Sequence, residues 1–291
     1  MVMNFSERFE FATDADPALS YCLWDYPRPA AAEDKYRSIN LLLQSFALAG
    51  IDARAADIVE AMREGIGPFR TVYGVKLADG QLGWEFYFYD YQRQQREVSA
   101  ARVIEAIRPW VRCKLALAET LPYFMFSLDL DDAIARAERS LDVIHMYVGN
   151  PGSAVSSGIA YGVRDDATTL ENFYFFFDAK TELDQVVDKI ESSAQVDLSR
   201  INMDEILLPE LKDCRTICVA NKRTHDCVYY SGVDVSQLLF FLERMQYPAA
   251  IRTFVADNRK RLDHLLFDVG IDYTMRDGRL VTPKSGYYGV F

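Results

Sequence analysis

Two carboxylates, those of Glu85 and Asp90, stand among aromatic side chains in the segment 84–91, which reads Trp-Glu-Phe-Tyr-Phe-Tyr-Asp-Tyr. Side chains of a β-strand alternate between two faces, so Glu85, Tyr87 and Tyr89 share one face. A face that combines π surface, hydroxyl groups and a carboxylate suits the wall of a ligand cavity. The alternative is that aromatic residues simply fill a core, because they have a high β propensity.

Basic residues lie close to predicted hairpin ends, where they could converge on one anion. Arg70 and Lys76 belong to one predicted strand, Arg164 follows another, and Arg276 precedes the last turn. Cations brought together in this way bind carboxylate or diphosphate groups, although each one alone is typical of a solvated hairpin end. Glu85 is the predicted catalytic residue. The predicted ligand-binding residues are Arg70, Lys76, Tyr87, Tyr89, Arg164, Tyr174, Tyr230, Arg276 and Tyr288.

An Asp-x-Asp-Asp string ends the apolar stretch 123–132. It superficially resembles the first motif of haloacid-dehalogenase-type phosphatases, in which Asp129 would match the nucleophile and Asp131 the acid. The string lacks the usual glycine, and that family needs a parallel sheet. The other interpretation is a helix N-terminus that Asp129 or Asp131 caps.

The five cysteines and three histidines predict no metal site. Cys214 and Cys218 fall on a predicted strand, where residues four apart lie about 13 Å from each other and cannot share a zinc ion. His145 on an apolar strand is typical of a core histidine, His225 lies in a turn, and His264 lies on a helix surface. No phosphate-binding, dinucleotide-binding or hydrolase glycine pattern is present,. We therefore predict no cofactor, with magnesium considered only for a diphosphate substrate.

Two hairpin patterns echo each other without a gap and indicate how these side chains are positioned. The first is Tyr73–Asp90 and the second is Tyr161–Asp178. Each pattern reads as strand, turn and strand, with a very aromatic second strand. The echo predicts a repeated β-hairpin in which Phe88 is equivalent to Phe176.

Hairpins of this kind alternate with amphipathic helical patterns along the chain. Hairpins require antiparallel pairing, so the alternation predicts the α+β class rather than a doubly wound parallel sheet. About ten strands either split into two sheets or close into a barrel, with helices on the outside. We predict an irregular N-terminal segment at 1–33 and a single repeat-built domain at 34–291. An internal boundary would fall at 195–212, which is polar and acidic.

The composition limits the partners of the chain. A formal net charge of −11 repels phosphate backbones and argues against nucleic acid,. No apolar run approaches the length of a bilayer span, and the segment 1–8 lacks the pattern of a signal peptide. An odd number of scattered cysteines is typical of reduced thiols. The sequence therefore predicts a soluble cytoplasmic protein without a membrane partner.

Together these features resemble one family, the soluble aromatic prenyltransferases with the αββα barrel. The resemblance is one of architecture, carried by the hairpins at 69–91 and 156–177, by Lys222-Arg and Tyr229-Tyr230 before a helix at 234, and by the strand tyrosines. It implies a diphosphate bound by Arg, Lys and Tyr side chains on strands, and a small aromatic or isoprenoid ligand in the lumen. Glu85 would then orient or deprotonate an aromatic acceptor. The competing interpretation is a non-catalytic ligand-binding or protein-interaction protein of the same fold.

Overall fold

The computed structural model describes residues 5–91, 96–115, 117, 119–150 and 153–291. The strands in these ranges are β1 (Thr71–Ala78), β2 (Gln81–Tyr89), β3 (Met125–Leu130), β4 (Ile144–Gly149), β5 (Ser157–Val163), β6 (Thr168–Asp178), β7 (Thr216–Lys222), β8 (Asp226–Val233), β9 (Phe267–Arg276), β10 (Arg279–Val281) and β11 (Lys284–Val290). The α-helices are α1 (Ile39–Ala49), α2 (Arg54–Ile66), α3 (Ala100–Ile107), α4 (Asp132–Ala135), α5 (Leu183–Glu191), α6 (Val235–Arg244), α7 (Ala249–Asp257) and α8 (Arg259–Leu262). Within the same ranges, no helix has the length and apolar character needed to cross a membrane.

Ten of the strands form one closed antiparallel barrel. The strand order runs β11-β1-β2-β3-β4-β5-β6-β7-β8-β9, and β9 pairs with both β8 and β11, which closes the sheet. β10 adds a short hairpin strand to the end of β9. The predicted α+β class with about ten antiparallel strands and outer helices is confirmed. Of the two arrangements left open, the barrel is the one observed.

Helices cover the outside of the barrel and form the main core with its outward side chains. On β2, Trp84, Phe86 and Phe88 point outward and are at most 2% exposed. The indole of Trp84 donates a hydrogen bond from Nε1 to Ser45 Oγ of α1 at 2.8 Å. Burial of each such aromatic side chain contributes about 1.5–3 kcal/mol. The alternation of a strand then turns the intervening β2 side chains into the lumen.

The Asp-x-Asp-Asp string ends β3 and starts α4. Asp131 is the N-cap of α4, because its Oδ1 accepts a hydrogen bond from the backbone N–H of Ile134 at 2.9 Å,. The antiparallel barrel also differs from the parallel sheet of the phosphatases that the string resembles. The interpretation of this string as a helix N-terminus is therefore the correct one.

The two echoing segments are both hairpins, but they are not equivalent residue by residue. Tyr73 pairs with Phe86 across a two-residue turn, whereas Tyr161 pairs with Leu170 beyond a bulge in the second hairpin. Phe88 consequently points outward and stacks on Phe126, whereas Phe176 lines the lumen. The predicted equivalence of Phe88 and Phe176 is wrong, because the pairing register and the bulge decide which face a residue takes.

The predicted internal boundary and the predicted N-terminal segment both pack against the barrel. The segment 195–212 contains the buried side chains of Ile206, Leu207, Leu208 and Leu211. The strands on either side of it, β6 and β7, pair directly in the barrel. The described part of the N-terminal segment, residues 5–33, is irregular apart from one short 3₁₀ helix at Phe5–Arg8, and it lies over one end of the barrel.

Candidate functional site

Five inward tyrosines form a closed ring across the middle of the lumen. Their ring centroids are separated by 6.3 Å (Tyr87–Tyr147), 5.8 Å (Tyr147–Tyr174), 6.5 Å (Tyr174–Tyr229), 6.2 Å (Tyr229–Tyr288) and 6.0 Å (Tyr288–Tyr87). The five come from β2, β4, β6, β8 and β11, which are every second strand of the barrel. Burial raises the pKa of each phenol well above its usual value, so all five stay neutral,. We call this layer the tyrosine ring.

The strands between them supply small residues that make room for the ring. Directly opposite the tyrosines lie a glycine, a serine or an alanine in each case: Tyr288 pairs with Gly74, Tyr87 with Ser127, Tyr147 with Ala160, Tyr174 with Ala220, and Tyr229 with Gly270. A Cβ at Gly74 would lie 2.5 Å from the ring of Tyr288, and one at Gly270 would lie 2.6 Å from the ring of Tyr229. Large and small inward residues therefore alternate around the barrel, a pattern typical of small barrel interiors.

A cavity of about 230 Å³ opens on one side of the tyrosine ring, and we call it the mouth. Lys76 Nζ lies 2.6 Å from Glu85 Oε1 and 3.0 Å from Asp129 Oδ1. Across the mouth, Asp272 accepts from Lys222 Nζ at 2.8 Å. Lys284 Nζ lies between the two groups, 3.9 Å from Glu85 and 3.5 Å from Asp272. The mouth is thus lined by a network of ion pairs.

Glu85 is held firmly in its ionised form. Burial alone would raise the pKa of this carboxyl, but Lys76 and Lys284 lower it, together with a hydrogen bond from Tyr87 Oη to Oε2. The balance leaves the pKa of Glu85 well below its usual value,. A carboxylate with such a low pKa is a weak proton acceptor near neutral pH. Its geometry suits it to hold Lys76 and Tyr87 in place.

A second group of interacting side chains lines the mouth on the β4–β6 side. His145 Nδ1 lies 2.6 Å from Glu171 Oε2, and Arg164 Nη2 lies 3.6 Å from Glu171 Oε1. Burial alone would lower the pKa of His145, but Glu171, together with Asp129 and Glu85, raises it. This is a histidine whose tautomer and orientation are set by a carboxylate.

The other side of the tyrosine ring is closed by the N-terminal segment. The Tyr21 ring lies 5.3 Å from that of Tyr87 and 5.2 Å from that of Tyr288. The backbone N–H of Tyr21 donates to Asp268 Oδ2 on β9 at 2.8 Å. Here a small apolar cavity of about 60 Å³ remains, and its lining includes Cys22 and Cys218. The lumen is therefore polar at the mouth and apolar at its N-terminal end.

In addition to Glu85, six of the nine predicted ligand-binding residues lie in the lumen or at its rim. The other three lie elsewhere. Lys76, Tyr87, Tyr89, Tyr174 and Tyr288 point inward, and Arg164 lies at the rim of the mouth. Tyr230 points outward, where its hydroxyl donates to Ile206 O at 2.9 Å. Arg70 precedes β1 at the end of that strand remote from Lys76, and its guanidinium lies 3.4 Å from Glu97. Arg276 is exposed at the tip of the β9–β10 hairpin.

These three placements correct the sequence prediction, and each has a physical reason. Tyr230 follows the inward Tyr229, so alternation turns it to the outer core. Arg70 and Lys76 lie at opposite ends of one strand and cannot meet at one mouth. Arg276 extends past the inward Asp272 into solvent.

Sequence reasoning missed several lumen residues that the fold brings together. Tyr147 and His145 share a face of β4 by the period of two, and this signal was present in the sequence,. Glu171 gave no signal, because it depends on the bulge. Tyr21 gave none either, since its segment is irregular. Asp272 lies on the strand 267–276, in which apolar residues alternate with polar residues or glycine, so this signal too was present in the sequence,.

The mouth does not offer a ready site for magnesium. Each of its carboxylates already lies within 4.0 Å of a lysine, histidine or arginine nitrogen. Across the described ranges, no three His, Cys, Asp or Glu side chains are grouped in a way that could hold a metal ion. Hard cations prefer several free carboxylate oxygens, which these ion pairs occupy. The five cysteines are all free thiols.

Comparison with models of protein families and with curated proteins finds no match to this chain.

Proposed function

We propose that this protein binds a small aromatic or isoprenoid ligand in its lumen and transfers an allylic hydrocarbon group from a diphosphate to an aromatic acceptor. The observation that carries the proposal is the contact between the tyrosine ring and the lysines of the mouth. Lys222 Nζ lies 5.8 Å from the ring centroid of Tyr229, and Tyr87 is linked through Glu85 to Lys76. Such a boundary between π faces and cations fits a reaction that separates a carbocation from an anion.

The reaction divides between the two layers. The lysines of the mouth hold the diphosphate while its C–O bond breaks and the electron pair leaves with the oxygen. The tyrosine ring then faces the allylic cation with neutral π surface, which attracts positive charge. A ring carbon or the hydroxyl oxygen of the acceptor attacks the cation and forms the new bond. The acceptor loses one proton to a base in the course of the reaction, which leaves a neutral aromatic product.

One observation favours a second candidate, a non-catalytic binding protein of the same fold. Every cation of the mouth already has a carboxylate partner: Lys76, Lys222, Lys284 and Arg164 face Glu85, Asp129, Glu171 and Asp272. A diphosphate must displace these contacts or enter beside them, at a cost in free energy. A neutral or zwitterionic ligand could bind without displacing these ion pairs.

The deciding experiment measures transfer and binding on the same protein. The purified chain is incubated with dimethylallyl diphosphate or geranyl diphosphate and a panel of phenols and indoles, and products are identified by mass spectrometry. We expect a prenylated acceptor together with released diphosphate. Lys222→Met should lower the rate roughly 10²–10³-fold, as removal of an electrostatic stabiliser does. Arg276→Met is the control, because Arg276 lies outside the lumen.

The binding arm separates the two candidates. Calorimetric binding of dimethylallyl diphosphate with no transfer to any acceptor would favour the binding protein. Binding of a phenol or an indole alone would do the same. Absence of binding of every donor and every acceptor would contradict both.

A further inference from the structure

Glu171 reaches the mouth because β6 carries a bulge. Asn172 pairs with Ala160 and Leu170 pairs with Tyr161, so Glu171 is the extra residue of β6 between two successive pairs. In a regular strand the side chain before the inward Asn172 would point outward, because side chains alternate between the two faces. β-Bulges re-aim a side chain in this way and are frequent beside functional sites. The bulge thus places a carboxylate where the regular strand would not.

Gly162 leaves the space that the carboxylate occupies. A Cβ at Gly162 would collide with Glu171 Oε1 and would lie 2.7 Å from Arg164 Nη1. Its backbone conformation does not require glycine, since its φ lies outside the left-handed range. The glycine is therefore explained by the approach of the Glu171 and Arg164 side chains.

The two histidines of the mouth differ in whether one ring nitrogen is left without a partner in the described part of the chain. His225 uses both ring nitrogens, with Nδ1 3.0 Å from Thr224 Oγ1 and Nε2 2.9 Å from Asp272 Oδ2. Among the residues that the structure describes, His145 has a hydrogen-bond partner at Nδ1 only, which is Glu171, and its ring lines the cavity. An ionised carboxylate accepts hydrogen bonds only, so Nδ1 carries the hydrogen and the lone pair of neutral His145 sits on Nε2. Of the two, His145 is the one equipped to take a proton from a ligand.

We propose that His145, oriented by Glu171, is the proton acceptor of the mouth, and that it acts on an aromatic hydroxyl group. This assignment rests on the proposed function for its place in a reaction. The proton moves from the ligand O–H to Nε2 and leaves an imidazolium beside the Glu171 carboxylate. The electron pair of the broken O–H bond stays on the ligand oxygen, which is then the nucleophile toward the allylic carbon. The imidazolium returns its proton to water after the product leaves.

The charges around His145 favour this direction of transfer. Asp129 on β3, Glu171 on β6 and Glu85 on β2 stabilise the imidazolium, whereas Arg164 at the end of β5 opposes it. Glu85 itself is engaged by two lysines and a tyrosine hydroxyl. It therefore serves to position its partners, and His145 supplies the base.

The experiment uses 4-nitrophenol as the probe, because its phenolate is coloured and its phenol is not. Wild-type protein is titrated with the probe at a series of pH values on both sides of that at which free 4-nitrophenol ionises, and the colour of the free probe is subtracted. We expect a saturable phenolate absorbance, which His145→Gln abolishes and Glu171→Gln weakens at least several-fold. Arg276→Met is the control, because Arg276 lies outside the lumen, and it should retain the absorbance. Circular dichroism confirms that each variant is folded.

Three results would overturn the assignment: no binding of 4-nitrophenol by calorimetry, binding without phenolate colour, or colour that survives in folded His145→Gln. The last result would assign phenolate stabilisation to the lysines. Transfer assays keep this separate from the proposed function. Transfer at the wild-type rate in His145→Gln would contradict the role of His145 as the base and leave the transferase proposal standing. Colour that depends on His145 in a protein that transfers no group would contradict the transferase proposal and leave the role of His145 standing.

Discussion

Lys76 Nζ lies 2.6 Å from Glu85 Oε1, and the two side chains are only 16% and 12% exposed. The pair joins β1 to β2 across directly adjacent strands at the mouth, and Asp129 extends it to β3. A buried pair of this kind contributes little net stability, but removal of one partner leaves the other charge uncompensated. Glu85 is therefore a structural element of the barrel as well as a lumen residue.

We predict that Glu85→Gln lowers the free energy of unfolding by about 3–5 kcal/mol at neutral pH, because it breaks this buried pair. Urea unfolding monitored by circular dichroism measures the change. The double variant Lys76→Met with Glu85→Gln is the matched control and should recover part of the loss. A loss below about 1 kcal/mol in the single variant would mean that water screens the pair as at a surface.

The same pair predicts a pH dependence with a definite sign. The folded pKa of Glu85 is lowered below its ordinary value of 4.5. Its contribution to stability is therefore fully present above pH 4.5 and is lost as the pH falls toward the folded pKa. Glu85→Gln should flatten the wild-type stability profile on this acid side. An unchanged profile would contradict the lowered pKa.

The period of two predicted much of the lumen, because it needs only local sequence. It placed Glu85, Tyr87 and Tyr89 together on β2, and these side chains do face inward. Their role in chemistry stays a prediction. The same rule, applied to β8, would have excluded Tyr230 once Tyr229 was set inward.

What the sequence could not predict depends on contacts between distant segments. The inward turn of Glu171 follows from a bulge relative to β5, and no feature of β6 alone marks it. The match of each ring tyrosine with a small residue follows from strand register, as for Tyr229 and Gly270. Tyr21 reaches the lumen only because Asp268, far along the chain, accepts its backbone N–H.

We predict that Gly270→Ala destabilises the barrel by about 1–3 kcal/mol, because the new methyl would overlap the ring of Tyr229,. Gly83→Ala is the matched control on another strand, where the nearest atom to a new Cβ is Lys76 Cε at 3.9 Å. That control should be neutral or slightly stabilising. Thermal unfolding of both variants measures the difference. Equal stabilities would show that the tyrosine ring shifts without cost.

Gly162→Ala should displace the Glu171 carboxylate and so lower the pKa of His145. Glu171 is a principal cause that raises this pKa, so its withdrawal disfavours the imidazolium,. A titration of the His145 ring signals by NMR measures the shift. Glu171→Gln should shift the pKa in the same direction, and a variant with both changes should add little. A pKa that does not fall in either variant would contradict the interaction.

Tyr230→Phe should destabilise the protein without changing ligand binding. The Tyr230 hydroxyl donates to Ile206 O and accepts from Leu208 N at 2.8 Å in a fully buried site. Its loss leaves two backbone groups unpaired, at a cost of about 1–3 kcal/mol. Tyr174→Phe is the lumen counterpart and should change 4-nitrophenol affinity instead. Reversed outcomes would contradict the inside and outside placement of the two tyrosines.

Asp268 provides the last prediction, because it is a carboxyl whose burial opposes its ionisation. Burial raises its pKa from 3.8 to about 6, although the backbone N–H of Tyr21 favours the charged form. A folded pKa above the unfolded one means that the folded state binds more protons between these values, so stability falls as the pH rises from about 4 to about 6. The full loss of stability, roughly 3 kcal/mol for a pKa shift of about two units, is present above that pH window.

Asp268→Asn keeps an acceptor for Tyr21 and removes the charge, so the variant should be more stable than wild type at pH 8 and equal to it near pH 4. Urea unfolding across this range measures both, and a variant that is less stable at pH 8 would show that the ionised carboxylate is needed to hold the N-terminal segment over the lumen.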